Sequence, residues 1–251
     1  MMGYTHAIIG ASGALAYAVS YGDSTPELYT VAVVAGTLGG VIVDIDTRDH
    51  TTNPKVTDAS RSRFAAIGLL LLGVIIGLVT QAKPLMDSFL EISTLIVGSV
   101  LFVIICTIGF FSPHRTFSHS LLFVIASTVS ISLICINTLE YYMIGSLLHL
   151  LLDMLNNPFQ HHGIWLFYPI KIGKGIALGW CKAARKGNKV FYFIGLFSFL
   201  VLSCIYIWQM QDMVKAIVPG IVMVYMVLVM HFVRIKSERE QRHIMYISGE
   251  L

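Results

Sequence analysis

The sequence predicts an all-α, polytopic integral membrane protein: one bundle of about eight transmembrane helices with both termini in the cytoplasm. Three observations carry this. Hydrophobic residues make up 56% of the 251 positions and charged residues only 12%, about half the charged share of an ordinary soluble domain. The apolar residues come in long, nearly uncharged runs such as Leu69 to Val79, Leu95 to Phe111 and Leu196 to Trp208, the pattern of helices that cross a bilayer. The basic residues fall almost entirely into alternate connections between those runs.

The spans are expected near residues 7–22, 28–44, 64–80, 92–112, 119–137, 141–155, 190–209 and 214–233. No basic segment precedes the first, so it is expected to stay in the mature chain rather than to be cleaved. The first and sixth are shorter than the ~20 residues that cross the hydrocarbon core, and the sixth carries His149 and Asp153. Such helices persist when neighbours surround them. The second closes on Val43-Asp44-Ile45-Asp46, and Ser112-Pro113 breaks the chain between the fourth and fifth. After the sixth, Trp165, Phe167 and Tyr168 suit the headgroup zone, and the stretch from Lys171 to Lys189 is basic and Gly-rich. That stretch reads either as an ordinary cytoplasmic loop or as a cradle for an anionic headgroup. The chain reads as a single domain, 1–251, with a core in 1–170 and a helical pair in 190–233.

With eight spans, fifteen Lys and Arg residues share one face with both termini, and only Lys83 and Lys215 lie on the other. Short cytoplasmic loops carry the basic excess, and a miscounted span would scramble such a bias. The small net charge of +3 and the absence of a nucleic-acid module leave an anionic lipid surface as the natural partner. Cys106, Cys135, Cys181 and Cys204 stand singly, without a CxxC pair, and read as buried apolar fillers.

On this topology the unusual polar residues share one membrane face. His6 opens the first span, Asp44 and Asp46 close the second, His114 and His119 lie in the hinge after the fourth, and His149 and Asp153 end the sixth. A carboxylate in an apolar setting is costly unless it is paired or metal-bound, and two carboxylates one residue apart repel. A divalent cation removes both penalties. His149 and Asp153, four apart, share a helix face; they could hold an ion together or simply clamp the helix by a hydrogen bond. Nitrogen and oxygen ligands without thiolate suit zinc first, then manganese or iron. Seven candidates exceed the needs of one ion, so two or three ions are expected, with Asp44 or Asp46 as a bridge, or else one of the seven serves as general base or supports a ligand from behind. Arg115 could grip a phosphate bidentately or anchor the positive-inside loop, and Ser118 and Ser120 stand ready to assist catalysis. His161 and His162 rank below the seven; His50, His231 and His243 read as incidental.

The N-terminal Thr5-His6, the Asp44-x-Asp46 pair, His114-Arg115-x-x-Ser118-His119-Ser120, and His149-x-x-x-Asp153 followed by Asn-Pro and an aromatic-Pro segment resemble the YdjM-like family of predicted inner-membrane, metal-dependent hydrolases over roughly residues 1–170. The resemblance implies a membrane-bound hydrolase and strengthens the metal site more than any substrate. Asn156 and Asn157 stand where the family has small residues or Thr. The His-x-x-x-Asp pattern and N-terminal His are also similar to zinc-dependent phospholipase C and related nucleases, whose all-helical sites hold several zinc ions.

Together these readings lead to a metal-dependent hydrolase acting on a lipid or lipid-linked ester from the cytoplasmic leaflet, with no nucleic-acid substrate. A metal-ion transporter would place the same ligands near the bilayer midplane on broken helices, and a non-catalytic scaffold would hold no metal. The topology is testable directly. A cysteine introduced at Arg61 should resist, and one at Asp87 accept, a labelling reagent confined to the outer face of intact cells; the reverse pattern would overturn both the orientation and the shared face.

Overall fold

The computed structural model describes residues 3–21, 24–46, 89–113, 115–155, 163–170, 175–179 and 186–247. Among these stand seven α-helices: α1 (Gly3–Tyr21), α2 (Pro26–Ile42), α3 (Phe89–Phe111), α4 (Leu121–Ile134), α5 (Leu139–Leu155), α6 (Lys186–Gln209) and α7 (Met213–Ile247). They match the expected spans except that at 64–80, which lies outside the described residues. Among the described residues, four apolar segments are long enough to cross a membrane: Pro26–Asp46, Ser93–Phe111, Gly187–Gln209 and Met213–Arg239. α4 and α5, at 14 and 17 residues, are shorter, and α1 has no comparably apolar stretch.

The helices divide into an inner and an outer set. α1 packs against α2, α5 and α6, and α2 packs against α5 as well. Ala7, Ala11, Ala14 and Ala18 are all buried along α1; at this spacing they form a smooth stripe that brings neighbouring backbones close. On the outer set, Ile96, Val100 and Ile104 of α3, Phe193 and Phe197 of α6, and Ile217 and Ile221 of α7 are exposed. An apolar surface of this extent is the lipid-facing side of a membrane protein.

The tightest contact lies where α1, α2 and α5 meet. A Cβ at Gly10 would run into the Gly36 carbonyl, one at Gly145 into that same carbonyl, and one at Gly36 into Ala14. Gly40, one turn beyond Gly36, faces the backbone carbonyl of His6 in the same way. Gly36-x-x-x-Gly40 is the small-residue spacing by which membrane helices approach at backbone distance, and here it serves two neighbours at once.

α6 is fastened to this inner set along its length. Near the Gly3 end of α1, Thr5 donates to Asn188 Oδ1 at 2.9 Å and Asn188 Nδ2 donates to Tyr4 OH at 2.7 Å. In the middle Ser12 donates to the Gly195 carbonyl at 2.8 Å. At the far end Tyr206 donates to the Thr25 carbonyl at 3.0 Å and accepts from the Thr25 amide at 3.1 Å. Arg234 of α7 stacks over Tyr192 and Phe193 and reaches Glu238 at 2.9 Å. Of the cysteines, Cys106 and Cys135 are half-buried as expected of fillers, whereas Cys204 is exposed on α6; Cys181 lies outside the described residues.

The glycine junction makes a contrast that can be measured. Gly36→Val should lower the unfolding midpoint in detergent, costing roughly 1–3 kcal/mol or more through overpacking. Gly220→Ala on α7, where nothing lies within 4 Å of the added methyl, should be neutral or stabilising by up to ~1 kcal/mol. Equal effects of the two changes would contradict the three-helix junction.

Candidate metal centre

One end of the inner bundle collects the polar residues. His6 lies in the first turn of α1, Asp44 and Asp46 in the 3-10 turn Val43–Asp46 that ends α2, His119 in the turn before α4, and His149 and Asp153 in the last two turns of α5. Antiparallel packing of α1 on α2 brings the start of one to the end of the other. His6, Asp46, His119, His149 and Asp153 are all buried, and the Asp44 side chain alone among them keeps 22% exposure. The open side of the site is therefore at Asp44. His114 lies outside the described residues.

Four of these residues converge. One ligand atom each from Asp44, His119, His149 and Asp153 can be chosen so that all four lie within 4.8 Å of one another. The distances between them are close to those between ligand atoms of one ion. His119 Nε2 stands 3.5 Å from Asp44 Oδ1 and 3.2 Å from Asp153 Oδ2; His149 Nε2 stands 3.5 and 3.6 Å from the same two atoms. Ligand atoms around a tetrahedral ion with bonds of ~2.0–2.1 Å are about 3.3 Å apart, whereas N–H···O bonds centre near 2.9–3.0 Å. His149 Nε2 is buried and makes no hydrogen bond, the condition of a nitrogen whose partner is a cation.

The imidazoles are aimed from behind. His149 Nδ1 donates to the Gly40 carbonyl at 2.7 Å, which fixes the tautomer and turns Nε2 toward the carboxylates. His119 Nδ1 lies 3.2 Å from Asp46 Oδ2 and 3.0 Å from Ser118 Oγ. That same Asp46 oxygen accepts from the Ser118 hydroxyl and, at 2.9 Å, from the Arg115 amide. Carboxylate–imidazole pairs of this kind orient metal ligands and raise their basicity.

Several sequence-predicted roles are revised. Asp46, expected as a ligand or bridge, sits behind His119 instead. With three residues per 3-10 turn, side chains two apart diverge, so Asp44 faces the imidazoles while Asp46 faces the 115–119 turn. Ser118 and Ser120 hold structure: Ser118 donates to Asp46, and Ser120 accepts from the Phe123 amide as N-cap of α4 while donating to the Phe117 carbonyl. Arg115 adopts a left-handed backbone, φ 65, which residues other than glycine adopt at a cost. Its amide is spent on Asp46 and its carbonyl accepts from the Trp165 amide at 3.1 Å. His6 is adjacent to the group of four and lies flat on His149.

Two parts of the site were not anticipated. Gly40 supplies the carbonyl that orients His149 and lacks the Cβ that would exclude His6; the Gly36-x-x-x-Gly40 spacing was its visible signal. The segment 163–170 braces the His119 turn through backbone bonds, Leu121 to the Leu166 carbonyl at 2.9 Å and Trp165 to the Arg115 carbonyl. Backbone contacts of that kind leave no residue-type signature. His161, His162 and most of the basic stretch lie outside the described residues.

A family model described as YdjM inner membrane protein matches residues 1–236, and the chain belongs to that family. The match reaches through α6 and into α7, beyond the 1–170 expected from the motifs. No curated protein and no solved structure matches the chain.

The two layers of the site should separate in a binding experiment. Asp153→Ala should abolish stoichiometric zinc binding in equilibrium dialysis, whereas Asp46→Asn, one layer out, should weaken it roughly 10–100-fold. Equal losses would place Asp46 on the ion itself.

Proposed function

We propose that this chain is a membrane-bound, metal-dependent hydrolase that cleaves an ester, foremost a phosphoester or diphosphate, of a lipid or lipid-linked substrate. The observation that carries the reading is the convergence of Asp44, His119, His149 and Asp153, with one ligand atom from each within 4.8 Å of the others, inside a bundle with apolar outer helices long enough to cross a membrane. The basic excess in alternate connections supports an eight-span topology with both termini, and the site, on the cytoplasmic side.

The four side chains would hold a divalent cation, zinc by their donor chemistry, which when bound polarises a phosphoryl or carbonyl oxygen and brings the pKa of water from 15.7 toward ~7. The protein's own residues do the rest. Asp46 and the Gly40 carbonyl keep His119 and His149 aimed inward. Burial of the ligand set excludes bulk water from every side but that of Asp44, where a headgroup would enter. Arg115, in the turn that Asp46 fixes, would hold the anionic group of the substrate. Water adds to phosphorus or carbonyl carbon, the bond to the leaving oxygen breaks, and that oxygen takes up a proton. No Ser or Cys nucleophile is required, in keeping with the structural engagement of Ser118 and Ser120.

Placement of the ligands favours hydrolysis over transport. A transport site is expected at the bilayer midplane on interrupted helices, and these ligands lie at helix ends.

Purified protein incubated with mixed membrane lipids and each of zinc, manganese and iron should release headgroups detectable by mass spectrometry. Asp153→Asn should lower turnover about 100-fold or more, since a charged ligand is lost. Arg115→Ala should mainly raise KM, by roughly ten- to hundredfold for a charge-assisted grip worth ~1.5–3 kcal/mol. Turnover that persists without metal in the Asp153 variant would exclude this mechanism.

A further inference from the structure

We propose that His6 and the second oxygen of Asp153 hold another divalent cation beside the first, with Asp153 as the shared ligand. The proposal rests on the metal-dependent reading above and extends it.

A difficulty in the one-ion site motivates it. Four protein ligands complete a tetrahedral shell, and closed shells are characteristic of structural ions, whereas hydrolytic ions keep a position for water or substrate. An ion held by Asp44, His119, His149 and Asp153 could act only by expanding to a fifth ligand, which leaves a single position for water and substrate to share.

His6 is not explained by that ion. It is 1% exposed, and neither of its ring nitrogens makes a hydrogen bond. Buried imidazoles in this condition are rare, because an unsatisfied polar group in the interior is costly. His6 Nε2 stands 3.3 Å from Asp153 Oδ1, while the other oxygen of that carboxylate, Oδ2, faces His119 and His149 at 3.2 and 3.6 Å. One carboxylate thus turns its two oxygens to two sets of imidazoles.

The spacing matches two ions. The rings of His6 and His149 are nearly parallel, 20° apart, with centroids 3.8 Å from each other. Paired catalytic metals sit ~3.5–4 Å apart, a separation of the same order as that of the two rings. With His6 and Asp153 as its side-chain ligands, the second ion keeps positions for water and a substrate oxygen. When bound, it would share with the first ion the work of polarising the substrate and activating water. The bridging role expected of Asp44 or Asp46 falls to Asp153.

The test is metal stoichiometry and magnetic coupling in the full-length protein, purified in detergent and loaded with manganese(II) alone. The wild type should hold two ions per chain with an electron paramagnetic resonance spectrum of coupled manganese. His6→Ala should hold one, with the six-line spectrum of isolated manganese, and His6→Gln should do the same if the alanine variant fails to fold. One ion in the wild type, an uncoupled spectrum, or two ions retained without His6 would overturn the proposal while leaving the four-residue site intact. No bound manganese at all would instead remove the metal reading from which it starts.

Discussion

The close approach of three helix backbones at Gly10, Gly36 and Gly145 is the constraint on which the rest of the structure depends. Side chains larger than hydrogen at these positions would push α1, α2 and α5 apart, since each missing Cβ would meet backbone or Ala14 rather than a yielding side chain. The same contact fixes the site, because α1 brings His6, α2 brings Asp44 and Asp46, and α5 brings His149 and Asp153. One turn along, Gly40 uses the intimacy twice. It admits the His6 backbone, and its carbonyl receives the His149 Nδ1 proton. Helix packing and imidazole orientation are thus one event, which matters in an apolar setting where packing and interhelical hydrogen bonds, rather than hydrophobic burial, hold helices together.

Charge balance follows from that geometry. Asp44, Asp46 and Asp153 are drawn together at one end of a bundle whose other surfaces are apolar, and a buried carboxylate without compensation costs several kcal/mol. The fold meets this in two layers. Asp46 is compensated by ordinary donors, the Arg115 amide, the Ser118 hydroxyl and His119 Nδ1. Asp44 and Asp153 are faced by the Nε2 atoms of His119 and His149 at 3.2 to 3.6 Å. The gathering of one ligand atom from each of these four residues within 4.8 Å of one another, more than the number of His and Asp residues, supports an ion-binding reading over a clamp of hydrogen bonds.

The sequence made one side of this arrangement legible. Long uncharged runs gave the outer helices, because lipid contact requires apolar residues all along the exposed face. The four-residue spacing of His149 and Asp153 gave a shared helix face, and the structure keeps the pair at 3.6 Å. Alternation of helix direction placed His6, Asp44, His119 and Asp153 at one end before any contact was known. The division of labour between Asp44 and Asp46 could not be read this way. It depends on a 3-10 turn in which Asp44 itself departs from helical geometry, φ −77 and ψ 17, and two identical side chains in an x-Asp-x-Asp string carry no mark of which faces inward. Ser118 and Ser120 carry a related ambiguity. Hydroxyls next to a His suggest chemistry, but capping a helix and supporting a carboxylate use the same hydroxyl.

The C-terminal helices change standing as well. From residue types alone, α6 and α7 look like an apolar pair appended to a finished site. Their contacts say otherwise, since Asn188 binds both Tyr4 and Thr5, the two residues before His6. The first turn of α1 has amide groups with no partner within its own helix, and a frayed turn there would carry the His6 ring away from Asp153. Asn188 ties that turn to α6, Tyr4 packs edge-on to Tyr192, and Tyr192 lies under Arg234 of α7. A chain of contacts therefore runs from the turn that carries His6 to α7. The family match ends at residue 236, just after Arg234, so the unit the family shares includes the helices that hold the N-terminus in place, and the site extends through them.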